Sequence, residues 1–276
     1  MALPKIDELH PEARADVDLD DLLELYGRPG TALGKPWIRM NFVMSADGAA
    51  TGDDDLSGSI STPADKAVFG VLRRLADVVL VAAGTVRDEH YKGALVSERQ
   101  RAWRREHGLA DHPGFAIASR RLDLDPESAV FTETPVRPLV LTVAGAPANR
   151  RKALEAVADV VDCGEHELEP AKLREVLAGR GWLDVLCEGG PSFFGALAAA
   201  GGVDELCVTI APRVVSGDGP RIAHGTAADL SLELAHVLRS AAGDLLLRYV
   251  GTLATTSLEV PTPPTLMCWI VDMMDS

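Results

Sequence analysis

One stretch of the sequence, VLCEGGPSFFG at residues 185–195, places an acid, two glycines and a proline at the end of an apolar run. This pattern is typical of a strand that turns on glycines into a helix, with Pro191 at the first helical position. The unpaired N–H groups of such a first turn, together with the helix dipole, attract anions such as phosphate. The stretch therefore predicts either a phosphate-binding turn or an ordinary strand-to-helix connection.

Other apolar runs also end in polar side chains that could carry chemistry. Thr85 follows the β-branched run at residues 77–82 and could bond a cofactor or cap a short helix. Ser119 precedes two arginines after a short strand, where it could hold a phosphate or lie in a solvated loop. Asp47 lies in the turn after the strand at residues 37–44. It could act on a ligand, or it could be a turn residue whose carboxylate bonds its own backbone.

The order of these runs predicts the fold class. Strands alternate with helical segments along most of the chain, which favours parallel strand pairs joined by right-handed crossovers. Residues 232–238 and 244–250 read as a closing β-hairpin. We therefore expect an α/β protein with a mostly parallel open sheet, helices on both faces and a C-terminal antiparallel hairpin. In such sheets ligands bind at the carboxyl ends of the strands, where the polar turns would meet.

Composition excludes several function classes. A net charge of −14 over 276 residues argues against a nucleic-acid surface, which needs a basic face. No apolar run approaches the length of a membrane span, and the acidic N-terminus does not resemble a signal peptide. The four cysteines are scattered without a Cys-x-x-Cys pair, so no metal site is predicted. Together these features favour a cytoplasmic protein.

Three blocks of the sequence resemble the pyrimidine reductases of riboflavin biosynthesis, whose fold is like that of dihydrofolate reductase. They are NFVMSADGAATGDDDLSGSISTPADKAVFGVLRRLADVVLVAAGTVRDEHY, LCEGGPSFFGALAAAGGVDELCVTIAP and the shorter Ser-Arg pair after the strand at Phe115. The resemblance implies a stand-alone reductase that uses NADPH and acts on a ribosylamino-pyrimidine 5′-phosphate. Hydride would pass to C1 of the opened ribose and give a ribitylamino product.

The resemblance also implies site residues. On the cofactor side it implies Met44, Ser59, Thr85, Glu89, Ser119, Gly189, Gly190, Pro191, Ser192, Phe193 and Phe194. On the substrate side it implies Ser57, Arg73 and Glu188. Arg73 would hold the phosphate with its guanidinium fork, and Glu188 would accept from substrate N–H or hydroxyl groups. Asp47 is the candidate catalytic residue, either orienting the substrate or relaying a proton.

Two departures from the family leave alternatives open. Family members commonly carry lysine where this chain has Asn41 and tryptophan where it has Ser59. The alternatives are reduction of a related heterocycle of the dihydrofolate type, and NADPH binding without catalysis. The resemblance further implies a homodimer. Along the chain we expect an acidic helix and loop at residues 1–34, a reductase domain at 35–252 and a separate tail at 253–276.

Overall fold

The computed structural model describes residues 3–91 and 93–251. The strands are β1 (Ile6–His10), β2 (Trp37–Ser45), β3 (Val78–Ala82), β4 (Gly114–Ala118), β5 (Leu139–Thr142), β6 (Asp159–Asp162), β7 (Asp184–Cys187), β8 (Glu205–Ala211), β9 (Leu232–Ser240) and β10 (Leu245–Gly251). The helices are α1 (Leu19–Tyr26), α2 (Pro29–Leu33), α3 (Pro63–Leu75), α4 (Ala83–Asp88), α5 (Glu98–Glu106), α6 (Ala129–Thr132), α7 (Ala148–Glu155), α8 (Pro170–Gly179) and α9 (Pro191–Ala199), with a 3-10 turn at Ser57–Ser59.

The strands of the described residues form one mixed sheet in the order β1-β9-β10-β8-β2-β7-β3-β4-β5-β6. All pairs from β8 to β6 are parallel. β9 and β10 form the predicted antiparallel hairpin, which joins the parallel part through β8. The predicted mostly parallel sheet with a C-terminal hairpin is therefore confirmed.

Alternating side chains of the central strands fill two apolar layers. Val79 and Val81 pack with residues of α1, α3, α4 and α7 in one buried cluster. Val78 and Leu80 pack with residues of α8 and α9 in another. Successive side chains of a strand point to opposite faces, so a continuous apolar run such as β3 serves both layers. Helices consequently cover both faces of the parallel strands, as predicted.

The N-terminal segment differs from its prediction as a helix and loop. The helix is present as α1, but it is preceded by β1, which pairs antiparallel with β9 at the edge of the sheet. Leu22 and Tyr26 of α1 are buried in the main core. The strand was missed because IDELH carries only two apolar residues among polar ones, a weak strand signal without its partner. The predicted tail at residues 253–276 lies outside the described residues.

Helix α3 carries several residues of the site described below, and its sequence defines both of its ends. The Thr62 side chain accepts from the Asp65 N–H, and Pro63 occupies the first helical position. Val68, Leu72 and Leu75 bury one face against the sheet. The face that carries Asp65, Phe69 and Arg73 is left to line a cavity.

Candidate active site

The carboxyl ends of three neighbouring parallel strands meet at one edge of the sheet. β7 lies between β2 and β3, with Cys187 opposite both Met40 and Leu80. The pairing continues into the glycine turn, because the Ala82 N–H donates to the Gly189 carbonyl at 2.7 Å. The turn is therefore fixed to the strand that leads to Thr85.

A cavity of about 760 Å³ opens at this edge. It brings together a majority of the predicted site residues, namely Ser57, Arg73, Thr85, Glu89, Glu188, Gly190, Pro191 and Ser192. The sequence pattern predicts that the strand-end turns meet at one site. The structure confirms this for Thr85 and the glycine turn. The functional roles of these residues stay predictions.

The glycine turn closely approaches Thr85. A Cβ atom on Gly190 would lie 2.5 Å from Thr85 Oγ1, so any side chain there would displace the threonine. Gly190 is also the N-cap residue of α9, and no side chain caps that end of the helix. The first-turn N–H groups of α9 are thus open to an anion from the cavity.

Gly189 must be a glycine for a different reason, namely its backbone conformation. Its φ is +92°, a left-handed conformation that side chains rarely adopt, and a Cβ atom would lie 3.0 Å from the Phe42 ring. Phe42 in turn stacks on Phe194 of α9, with ring centroids 5.2 Å apart. Gly189, Phe193 and Phe194 lie behind the cavity wall, where they support the turn and are not part of the lining.

Arg73 and Glu188 bind each other across the cavity. Arg73 Nε donates to Glu188 Oε1 at 2.7 Å, and Nη2 donates to Oε2 at 2.8 Å. The Tyr91 hydroxyl adds a third bond to Glu188 Oε2 at 2.5 Å. The side chains of Glu188 and Arg73 are only 3% and 20% exposed. The guanidinium fork that the resemblance assigns to a substrate phosphate is therefore occupied by Glu188.

The electrostatics of this cluster keep each member in a defined state. Burial opposes the charge on Arg73, but the Glu188 carboxylate outweighs burial and raises the pKa of Arg73. Burial and the same carboxylate raise the pKa of Tyr91 well above its ordinary value. Tyr91 is therefore a neutral phenol whose hydroxyl donates a hydrogen bond to Glu188. The Arg73 guanidinium also lies 4.2 Å from the centroid of the Phe69 ring, a favourable cation–π contact.

Three further predicted cofactor residues also lie outside the cavity lining. The Ser59 hydroxyl donates to the Leu56 carbonyl at 2.9 Å within its own turn. Ser119 is buried at the end of β4, where its N–H donates to the Leu141 carbonyl. Met44 is a half-buried residue of β2. The arginine after Ser119 pairs with Glu167 in an exposed ion pair.

Asp47, the candidate catalytic residue, also lies outside the lining and binds a neighbouring loop. Its carboxylate accepts from the Ser45 hydroxyl at 2.5 Å and from the N–H groups of Val215 and Ser216 at 3.1 and 2.7 Å. The hydrogen bond from Ser45 is the largest of the effects that lower the pKa of Asp47 to about 2. The catalytic role stays a prediction, and this geometry favours a role in positioning the loop at residues 213–216.

We expect Asp47→Asn to loosen that loop. An amide can accept at only one of its two atoms, so one of the backbone N–H bonds is lost. Hydrogen exchange at Val215 and Ser216 should accelerate, while exchange in the β9–β10 hairpin stays unchanged.

The effect should depend on pH in a defined direction. The folded-state pKa of about 2 lies below the ordinary value near 3.9, so the stabilisation is complete above about pH 4. It is lost as pH falls through about 2. The difference in unfolding midpoint between the wild type and Asp47→Asn should therefore shrink below about pH 4. A difference that grows on acidification would contradict this assignment.

Several cavity residues were not predicted from the sequence, including Asp65, Lys66, Phe69, Tyr91 and His224. A signal was available for two of them. Asp65 and Phe69 precede Arg73 by eight and four residues, which places all three on one face of a helix. For the others, only the tertiary structure shows their position.

Residues 3–91 and 93–251 contain neither a cluster of metal-binding side chains nor a membrane-spanning helix. No group of three or more His, Cys, Asp or Glu side chains there could hold a metal ion. Nor does any helix in that part of the chain have the length and apolar character needed to cross a membrane.

Comparison with known proteins identifies relatives that cover most of the chain. The RibD C-terminal domain family matches residues 36–246. The 2,5-diamino-6-ribosylamino-4(3H)-pyrimidinone 5′-phosphate reductase of Archaeoglobus fulgidus is 26% identical over 192 residues, which are 69% of this chain and 87% of that protein. The reductase of the same name from Methanothermobacter thermautotrophicus is 28% identical over 191 residues, 68% of this chain and 82% of that protein.

The fold has solved counterparts as well. The crystal structure of a pyrimidine reductase-like protein from Corynebacterium diphtheriae superposes with a TM-score of 0.73 at 25% identity, covering 83% of this chain and 98% of that chain. The family match includes β2 to β9, the glycine turn and the whole of α3. On this match, the chain belongs to the RibD C-terminal domain family.

Proposed function

We propose that this protein is an NADPH-dependent reductase of riboflavin biosynthesis that reduces a ribosylamino-pyrimidine 5′-phosphate. The observation that carries the proposal is a cavity that joins an open helix N-terminus to a wall of polar side chains from α3 and from the turn after β7. The archaeal relatives bear the name of that reductase.

The glycine turn fits the cofactor that the family implies. The cavity of about 760 Å³ reaches Gly190, Pro191 and Ser192, whose helix end has no side-chain cap. These residues would hold a dinucleotide's phosphates, and Thr85 would bond the same part of the cofactor. When bound, the nicotinamide supplies hydride, and the protein supplies position and electrostatics.

The substrate phosphate needs a cation, and the structure favours Lys66 for it. Arg73 does not meet this need, because its Nε and Nη2 groups already donate to Glu188. Lys66 is exposed at the cavity, and its ammonium group makes no hydrogen bond or ion pair among the described residues. Ser57 lies at the same cavity, where its N–H donates to Glu89 Oε1 at 2.9 Å and its hydroxyl is available to a ligand.

The proposal is tested by mixing the purified protein with reduced cofactor and the ribosylamino-pyrimidine 5′-phosphate. We expect loss of reduced-nicotinamide absorbance that depends on both ligands, with NADPH preferred over NADH. Calorimetric binding of NADPH without turnover would favour the non-catalytic alternative, which the replacement of the family lysine by Asn41 motivates. Absence of both binding and turnover would contradict the proposal.

Substitution of the glycine turn should affect the cofactor selectively. Gly190 has a φ of −83°, which alanine adopts readily, so Gly190→Ala should fold with nearly normal stability. The new Cβ would displace Thr85 Oγ1, and we expect the NADPH Kd to rise about tenfold. Adding Thr85→Ala removes the clash and should restore part of the affinity. An unchanged Kd in the single variant would show that this turn does not bind the cofactor.

We also propose that the protein is cytoplasmic, which its composition favours, and that it forms a homodimer, which the family resemblance implies. Light scattering on the purified protein tests the dimer.

A further inference from the structure

One carboxylate in the cavity wall is buried without a salt bridge among the described residues. Asp65 is 7% exposed and lines the cavity from the first turn of α3. Its Oδ2 accepts from the Ser61 hydroxyl at 2.5 Å. Within residues 3–91 and 93–251 it forms no ion pair with lysine, arginine or histidine.

The other carboxylates at the cavity are already satisfied. Glu188 accepts three bonds from Arg73 and Tyr91. Glu89 accepts the Ser57 N–H, and Asp55 and Asp88 are exposed to water. Asp65 is thus the buried acid at this cavity whose carboxylate oxygens can still accept hydrogen bonds from a ligand.

The surroundings of Asp65 explain why a ligand with donors would bind there. Burial raises the pKa of Asp65 despite hydrogen bonds from Ser61 and Thr209 and the charge of Lys66, and the nearby Asp244 adds to the increase. The carboxylate is therefore less stable in the free protein than it would be in water. Two N–H donors from a ligand would offset that cost and gain strength from the water-poor surroundings.

Pyrimidines differ in what they offer to a carboxylate. A 2-amino-4-oxo-pyrimidine presents its ring N3–H and its 2-amino N–H side by side, which matches the two oxygens of a carboxylate. At the same edge, remote from the ribosylamino group, a uracil presents N3–H beside the C2 carbonyl. That carbonyl would face a carboxylate oxygen, and two acceptors repel each other.

We propose that Asp65 recognises the pyrimidine ring and selects a 2-amino-4-oxo-pyrimidine over a uracil. This assignment rests on the proposed function. In it Asp65, and not Glu188 as the family resemblance implies, accepts hydrogen bonds from substrate N–H groups. It makes Asp65 a specificity-determining residue in direct contact with the substrate.

Asp65→Asn tests the assignment because it changes the bonding pattern without changing shape. An asparagine amide presents one acceptor and one donor, which matches the uracil edge and mismatches the 2-amino edge. We expect the wild type to favour the 2-amino substrate by on the order of 100-fold in kcat/KM, and Asp65→Asn to abolish or reverse that preference. Calorimetric affinities for the two ribitylamino 5′-phosphate products should change in parallel without turnover.

Two controls separate recognition from a structural effect. Asp55→Asn removes the same charge from an exposed position of the cavity and should leave the preference unchanged. Because burial disfavours the charge of Asp65 and no salt bridge offsets it, Asp65→Asn should unfold at the same or a higher temperature than the wild type. A merely structural Asp65 would instead lower the unfolding temperature and reduce both activities by one factor.

The outcomes distinguish the inference from the function on which it rests. Equal kcat/KM for both pyrimidines in the wild type, or an Asp65→Asn variant with an unshifted ratio, would overturn the inference and leave the reductase function standing. A protein that neither binds nor reduces either pyrimidine would overturn both. If the variant is poorly folded, equal kcat/KM for both pyrimidines in the wild type still overturns the inference.

Discussion

Replacing Arg73 with methionine is expected to lower the free energy of unfolding by about 3 kcal/mol. The substitution keeps the length of the side chain but leaves Glu188, which is 3% exposed, without its cation. A buried charge that loses its partner keeps its full desolvation cost, and this cost exceeds the loss of packing. Urea unfolding of Arg73→Met measures the effect.

A double-mutant cycle shows whether the pair is the cause. Glu188→Gln keeps an oxygen for the Tyr91 hydroxyl and removes the negative charge. The double variant contains no buried charge at this position, so it should be at least about 2 kcal/mol more stable than the sum of the single losses predicts.

An exposed ion pair provides the matched control. Arg120 and Glu167 are paired at the surface, with side chains 52% and 68% exposed. Arg120→Met should change stability by less than about 1 kcal/mol, because water screens the pair. Additive losses at Arg73 and Glu188, or an equal loss at Arg120, would contradict the role assigned to the buried pair.

The second large effect is expected at Gly195, inside helix α9. Glycine to alanine in a helix interior usually stabilises by about 1 kcal/mol. Here a Cβ atom would lie 2.1 Å from the His224 carbonyl oxygen, a backbone atom that cannot rotate away. The His224 N–H also donates to the Pro191 carbonyl at 3.1 Å, so the loop is bound to α9 at that point. We expect Gly195→Ala to lose about 2 kcal/mol net.

The same substitution should weaken cofactor binding. His224 lines the cavity beside the first turn of α9, and pushing it outward opens that part of the wall. An increase of about tenfold in the NADPH Kd corresponds to roughly 1.4 kcal/mol. Gly179→Ala in α8 is the control, because nothing lies within 4 Å of its added Cβ. That variant should be unchanged or stabilised, and a Gly195→Ala variant that behaves the same way would contradict the close approach.

The sequence predicted the parts of the site that depend on local chemistry. The glycine turn, Pro191 and the cap of α3 are short-range patterns, and strand-end turns of a parallel sheet must share an edge. This logic correctly brought Thr85 and Gly190 together, about 100 positions apart in the chain. The β9–β10 hairpin was likewise visible, as two apolar runs joined by a short turn.

Pairings between distant side chains were not predictable in the same way. Glu188 and Arg73 each fit a substrate-binding role, and nothing in either local sequence indicates that they bind each other. Asp47 reads as a turn residue or a catalytic acid, and only the fold shows its bonds to Val215 and Ser216. β1 was missed for a related reason, since its pairing with β9 depends on residues over 200 positions later.

Transfer of label from cofactor to product tests the central claim most directly, because it requires both ligands in the one cavity. NADPH deuterated on one or the other face of nicotinamide C4 would be incubated with the ribosylamino-pyrimidine 5′-phosphate, and the product examined by mass spectrometry. We expect the product to carry one deuterium at C1 of its ribityl chain from one labelled cofactor and none from the other. Product without deuterium from either cofactor, or no product at all, would contradict the account.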